Sequence, residues 1–143
     1  MATCLELCNL TQASIKREVC ELNRIVHFEI PVKDIMKAKE FFESVFKWDI
    51  VTHEGDNGSI TTIETGSVSE PGINGSFFRK STVPPDFGRI INAIEVEDIE
   101  TMRKRVEANG GEIVFGPIQY ADLGKMMYFK DTEGNILGML ERK

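Results

Sequence analysis

The chain predicts an α+β fold in which two β-α-β-β-β modules form an open, eight-stranded, barrel-like cavity. Two observations carry that prediction. Residues 27–35, His-Phe-Glu-Ile-Pro-Val-Lys-Asp-Ile, are echoed by residues 91–99, Ile-Asn-Ala-Ile-Glu-Val-Glu-Asp-Ile, so that Ile30, Val32, Asp34 and Ile35 recur as Ile94, Val96, Asp98 and Ile99. Each copy also runs from a strand-like segment straight into a helix-like one. A period of roughly sixty residues is too long for a solenoid unit, and the economical reading is a duplicated module whose copies pack together. A pocket is then expected at their join.

In the first module, residues 23–80, Arg24 to Val32 alternates between two differently occupied faces and reads as a strand. Pro31 marks that strand as ending or lying near an edge. Asp34 can cap the following helix, whose apolar stripe is Ile35, Ala38, Phe41, Phe42, Val45 and Phe46. Asp49 to His53 is the next strand, Gly55-Asp56-Asn57-Gly58 supplies turn chemistry, and Ser59 to Glu64 returns. A loop at Gly66 to Gly75 leads to a short strand at Ser76 to Arg79.

A linker over residues 81–88, with Pro84-Pro85 and Gly88, leads into the second module, residues 89–141. Arg89 to Val96 is its first strand, Asp98 its helix cap, and Ile99, Met102 and Val106 its buried stripe. Gly110-Gly111 stops the helix because glycine accepts the left-handed conformation at helix ends. Glu112 to Phe115, Met126 to Lys130 and Ile136 to Leu140 complete the strands, with Asp131-Thr132-Glu133-Gly134-Asn135 turning the last hairpin.

Composition narrows the function classes. At 143 residues the chain can bury about two thirds of its unfolded surface. A net charge of -6 disfavours non-specific nucleic-acid binding, which depends on cationic side chains meeting phosphates. No apolar run approaches the roughly 18 residues needed to span a bilayer, so no membrane association is expected. Residues 1–22 read as an N-terminal extension: Ser14 to Leu22 forms a short amphipathic helix or a frayed end. Glu6, Glu18 and Glu21 argue against a targeting peptide. All three cysteines, Cys4, Cys8 and Cys20, lie in that extension, an odd count that describes no disulfide framework and points to a reducing cytoplasm. Cys4 and Cys8 have helical spacing for a metal clip but lack a second ligand pair nearby.

Several motifs together carry a family resemblance: His27-Phe28-Glu29-Ile30-Pro31-Val32-x-Asp34, the run Ala38 to Trp48, Gly72-Ile73-Asn74-Gly75, and Tyr128-Phe129-Lys130-Asp131-Thr132-Glu133-Gly134-Asn135. Over residues 23–141 the chain resembles the vicinal oxygen chelate superfamily. It is most similar to small glyoxalase-like and bleomycin-resistance-like proteins related to lactoylglutathione lyase. That resemblance implies the glyoxalase/bleomycin-resistance/dioxygenase type of fold and a homodimer. Lys47 departs from it, standing where the family has glycine, and is expected to adopt a left-handed conformation at modest cost.

In metal-dependent members of the family, each half gives one ligand from its first strand and one from its last. Carried over residue by residue, only His27 matches. Its counterpart in the second half is Ile91, the last-strand position falls on Gly138, and Gly75 to Phe78 offers no carboxylate, imidazole or thiolate. No metal or other cofactor is therefore expected. The alternative is a divalent metal at a displaced site using Glu29, Glu64 or His53.

Without a metal, His27 reads either as an acid, base or hydrogen-bond partner for a ligand, or as a structural histidine bonded to Glu29, Tyr128 or backbone. Glu29 shares its strand face by the two-residue period, and the pair would supply polar recognition in an apolar pocket. Trp48, Asn74 and Tyr128 complete the candidate ligand-binding set, each with a packing role as its alternative. The expected function is binding of a small organic molecule. The alternative is a lyase or isomerase of the lactoylglutathione-lyase type, with His27 as its catalytic acid/base or with a rearranged metal site.

Overall fold

The computed structural model describes residues 22–143 apart from Asn57, Ala121 and Asp122. The three cysteines and all of the expected N-terminal helix except Leu22 lie outside the described residues. Along the chain run β1 (Ile25–Val32), α1 (Ile35–Phe46), β2 (Asp49–Gly55), β3 (Gly58–Glu64) and β4 (Asn74–Arg79). The same order follows in β5 (Ile91–Glu95), α2 (Ile99–Ala108), β6 (Glu112–Tyr120), β7 (Gly124–Lys130) and β8 (Ile136–Arg142). All eight strands join in one curled sheet of order β2-β3-β4-β1-β5-β8-β7-β6.

The two modules meet strand to strand. β1 and β5 pair antiparallel at the centre, while β1–β4 and β5–β8 are parallel pairs within the modules. Both halves share a register: Ile30 faces Phe77 across β1–β4, and Ile94 faces Met139 across β5–β8. Pro31 therefore lies in a central strand, not an edge one. It is tolerated because it is the last residue but one of β1 and lies beyond Glu29↔Ile91, the final pair with β5.

Capping chemistry sets the helix limits. Asp34 accepts a hydrogen bond from the Lys37 backbone N–H at 3.1 Å and starts α1. Lys47 ends it in the left-handed region at φ 59°, its N–H returning to the Glu43 carbonyl. Asp98 caps α2 through the N–H groups of Glu100 and Thr101, and Gly110 follows the helix end at φ 88°.

Both helices pack on the outer face of the sheet. Ile35, Ala38 and Phe42 of α1 meet Val32, Ile50, Ile63 and Phe77. Ile99, Met102 and Val106 of α2 meet Val96, Met127 and Met139. Full burial of Ile99 is worth roughly 1.5–3 kcal/mol over exposure, and the partly buried side chains contribute less. The expected α1 stripe is only partly inward: Phe41, Val45 and Phe46 are each more than half exposed, because the apolar arc is wider than the face the sheet can cover.

Two segments differ from the sequence expectation in ways that build the interior. Residues 81–88, expected as a plain linker, include a 3-10 turn at Pro85–Phe87 that drops Phe87 into the inner core against Ile91, Met126, Tyr128 and Leu140. β6 continues five residues past Phe115, passing Gly116-Pro117 by a register shift against β7 between Phe115 and Ile118. That extension delivers Tyr120 to the concave face.

Candidate functional site

The two-residue period of β1 sends Phe28 and Ile30 to the helix side and His27 and Glu29 to the concave side. Parallel pairing sets Ser76 of β4 directly beside Glu29, and antiparallel pairing sets Ala93 and Ile91 of β5 beside His27 and Glu29. β6 and β7 bring Tyr120 and Tyr128 from the other module. Five polar side chains thus converge where the modules meet.

They form one polar cluster held together by hydrogen bonds. The Tyr128 hydroxyl donates toward both carboxyl oxygens of Glu29, at 2.9 Å to each. The Tyr120 hydroxyl lies beside Glu29 and 2.6 Å from Ser76 Oγ. Ser76 Oγ in turn lies 3.2 Å from His27 Nε2, and the His27 and Tyr120 rings meet edge to face at 6.0 Å. Glu29 is 2 % exposed and Ser76 fully buried, yet no buried side-chain nitrogen or oxygen among the described residues lacks a partner. An interior carboxyl is tolerated only under such saturation.

Burial dominates the electrostatics. It lowers the His27 pKa to about 4, with the positive field of Arg142 adding to the effect, so the imidazole is neutral at physiological pH. Burial also raises the Glu29 pKa, against the two tyrosine hydroxyls that hydrogen-bond to it and favour its charge. Both phenols are pushed up, first by burial and then by the neighbouring Glu29 charge, and stay protonated.

A cleft of about 600 Å³ opens beside this cluster, walled by His27, His53, Thr62, Glu64, Asn74 and Arg142 among others. A second hollow of about 690 Å³ lies between Pro85–Asn92 and Lys130–Leu137, but none of the five cluster members lines it. The first is the better candidate because polar groups converge there, and size alone does not make a binding site.

The candidate residues read from the sequence separate clearly. His27, Glu29 and Tyr128 come together. Asn74 lines the cleft wall, where its side-chain oxygen accepts the Thr65 backbone N–H at 2.9 Å and pins the Thr65–Asn74 loop. Next to it, Gly75 passes so close to Phe28 that a Cβ would lie 2.6 Å from two ring carbons, the tight approach expected of Gly-Ile-Asn-Gly. Trp48 stands apart on the helix side, stacked on Phe42 at 4.9 Å and packed against Phe28 and Phe46. Ser76 and Tyr120 were not singled out from the sequence. A tyrosine alternating in register with Ile118 was the available signal, hidden behind Gly116-Pro117.

The donor set does not fit the family metal. The shared register makes Ser76 and Gly138 equivalent, so the four positions hold His27, Ser76, Ile91 and Gly138. One imidazole, one hydroxyl, one hydrocarbon and no side chain do not make a divalent-metal site. At Gly138 the space is also filled, since a Cβ would come within 3.1 Å of Met126 Cε and 3.3 Å of Ala93 Cβ. As for a displaced site, no three His, Cys, Asp or Glu side chains cluster to hold a metal among the described residues.

Comparisons with known proteins agree with this architecture. A comparison with curated proteins gives no significant match. Among solved structures, methylmalonyl-CoA epimerase from Mycobacterium tuberculosis superposes with a TM-score of 0.65 at 16% identity, covering 87% of this chain and 91% of that one. A hypothetical protein from Bacillus halodurans C-125 gives 0.63 at 19% identity, covering 85% and 95%. A methylmalonyl-CoA epimerase in complex with methylmalonyl-CoA and NH4+ gives 0.63 at 15% identity, with the same coverage. At these identities the likeness is one of fold. The family model of the Glyoxalase/Bleomycin resistance protein/Dioxygenase superfamily matches residues 24–139, and the chain belongs to that superfamily.

Proposed function

We propose that the cleft beside β1 binds a small organic molecule through hydrogen bonds and apolar contact, without the metal ligands of the family. The observation that carries this is the saturated polar cluster of Tyr128, Glu29, Tyr120, Ser76 and His27, whose histidine lies at the wall of a cleft large enough for such a molecule. His27 and Asn74 are the recognition groups lining the cleft. Ser76 and Tyr120 hold His27 in place from behind, Tyr128 pins Glu29 beside them, and Trp48 supports β1 from the opposite face. The similar fold of a methylmalonyl-CoA epimerase in complex with methylmalonyl-CoA supports this reading.

One observation supports a second reading, an enzyme of lyase or isomerase type. Glu29 is a buried carboxyl with a raised pKa, the state of many groups that exchange protons with a substrate. A homodimer in the cytoplasm completes the proposal; the exposed Met36, Phe41 and Val45 on α1 offer apolar surface for pairing, and sedimentation tests it. No helix among the described residues is long and apolar enough to cross a membrane.

The test is titration of ¹⁵N-labelled protein with a library of small polar organic compounds, read by amide shifts. Binding at His27, Thr62 and Asn74 that is lost in His27→Ala, with the fold intact, supports the role. Hits confined to the Pro85–Leu137 hollow would remove it.

A further inference from the structure

The duplication that builds the sheet also builds the hollow between Pro85–Asn92 and Lys130–Leu137. Glu29 faces Ser76 across β1–β4 as Ala93 faces Gly138 across β5–β8. On the outer side, Thr62 faces Ser76 across β3–β4 and Tyr128 faces Gly138 across β7–β8. Two residues away along these strands and on the same face, His27, Glu64 and Asn74 correspond to Ile91, Lys130 and Ile136. The first three line the cleft and the second three line the hollow. The two cavities are thus the same position of the repeat, opened once in each module.

Their linings have diverged in opposite directions. Lys130 stands where the cleft has the carboxylate of Glu64, and isoleucines stand where it has His27 and Asn74. Arg89 adds a second cation; it is exposed and has no ion-pair partner among the described residues. Asp131 also lines the hollow, but its carboxylate is folded into its own turn. Oδ1 accepts the N–H groups of Glu133 and Asn135 at 2.9 and 2.8 Å, and Oδ2 accepts Asn135 Nδ2 at 2.9 Å. Two cations against one carboxylate leave this lining net positive in a chain of net charge -6. The hydrocarbon comes from a break in the repeat. The parallel ladder of module one starts at His27↔Asn74, whereas that of module two starts only at Ala93↔Gly138, so Ile91 and Ile136 are unpaired with each other and wall the hollow together with Ile90, 61 % exposed.

We infer that the hollow of the second module is a binding site for a small aliphatic carboxylate, with Arg89 and Lys130 on the carboxylate and Ile90, Ile91 and Ile136 along the hydrocarbon. The planar fork of an arginine matches the two oxygens of a carboxylate, and a lysine adds a point charge beside it. A volume of about 690 Å³ suits a small organic molecule. This site goes beyond the role proposed for the cleft and does not depend on it. The cleft carries Glu64 at the equivalent place, a charge that repels the same ligand.

The experiment is titration of the ¹⁵N-labelled full chain with sodium hexanoate, and separately with neutral hexanamide, each to about 10 mM and read by amide shifts. Hexanoate is expected to give saturable shifts at Ile90, Asn92, Asn135 and Leu137, and hexanamide to bind there about tenfold more weakly. Arg89→Gln, at an exposed position, is expected to raise the Kd for hexanoate roughly tenfold with the rest of the spectrum in place. Lys130→Gln, a second variant at the same site, is expected to raise it about threefold. No saturable shift at the hollow, equal binding of hexanamide, or a Kd unchanged in both variants overturns the inference. Shifts at His27, Thr62 and Asn74 report the cleft instead, so the two proposals fail separately.

Discussion

The two modules share a backbone plan but differ sharply on the concave face. Where the first places His27, Glu29 and Ser76, the second places Ile91, Ala93 and Gly138 at the equivalent positions. The second module has filled that interior with hydrocarbon, packing Met126 and Leu140 against Ile91 and Ala93. Its polar contribution comes instead from Tyr120 and Tyr128, which reach across to the first module's carboxyl. Duplication thus gives a symmetric frame, and divergence has left the buried histidine, carboxyl and serine on one side of it.

The largest expected effect of breaking this asymmetry is at Glu29. Glu29→Ala strips the buried Tyr128 hydroxyl of its acceptor, worth roughly 1–3 kcal/mol when orphaned, and opens a cavity beside it, so a loss on the order of 4 kcal/mol is expected in urea denaturation. Next comes the pH dependence at His27, absent from its counterpart Ile91. The folded-state pKa is depressed, so the unfolded chain binds the proton more readily. The contribution is present above the ordinary value of 6.5 and lost as pH falls through about 4. Its full size is about 3 kcal/mol, and His27→Gln should flatten the stability profile across that window. Glu29, with its pKa raised, acts in the opposite sense: its contribution is present below the ordinary carboxylate range and declines as pH rises through its folded-state value.

A smaller contrast lies in the glycines beside these positions. Gly75→Ala drives a methyl group into the backbone and ring of Phe28 and should cost on the order of 2–3 kcal/mol. Gly138→Ala meets the flexible end of Met126 first and should cost less than about 1 kcal/mol. Thermal unfolding of the two variants side by side measures the difference.

Much of this was legible in the residues because it is local. The repeated Asp34 and Asp98 announce two helix starts, and both cap as expected. The left-handed Lys47 was legible through the family resemblance, in which it stands at a glycine position. The shared face of His27 and Glu29 follows from strand periodicity alone. Non-local pairings were harder to see. Nothing around Ser76 announces that β4 lies parallel to β1 and sets its hydroxyl against His27, because register is a property of the closed sheet. Tyr120 was hidden because Gly116-Pro117 carries the punctuation of a strand end, whereas the fold uses it as a bulge. Phe87 was hidden for a related reason, sitting beside the paired prolines of an apparent linker.

The central claim is that hydrogen bonding at one module has replaced metal coordination shared by two. Metal analysis tests it most directly, with Ni, Zn, Mn, Fe and Co quantified per chain in protein purified without a metal-binding tag. The account predicts far less than one equivalent of any metal, together with a melting temperature unchanged by chelator. Near-stoichiometric metal, with a melting temperature that falls by several degrees on chelation, would contradict it.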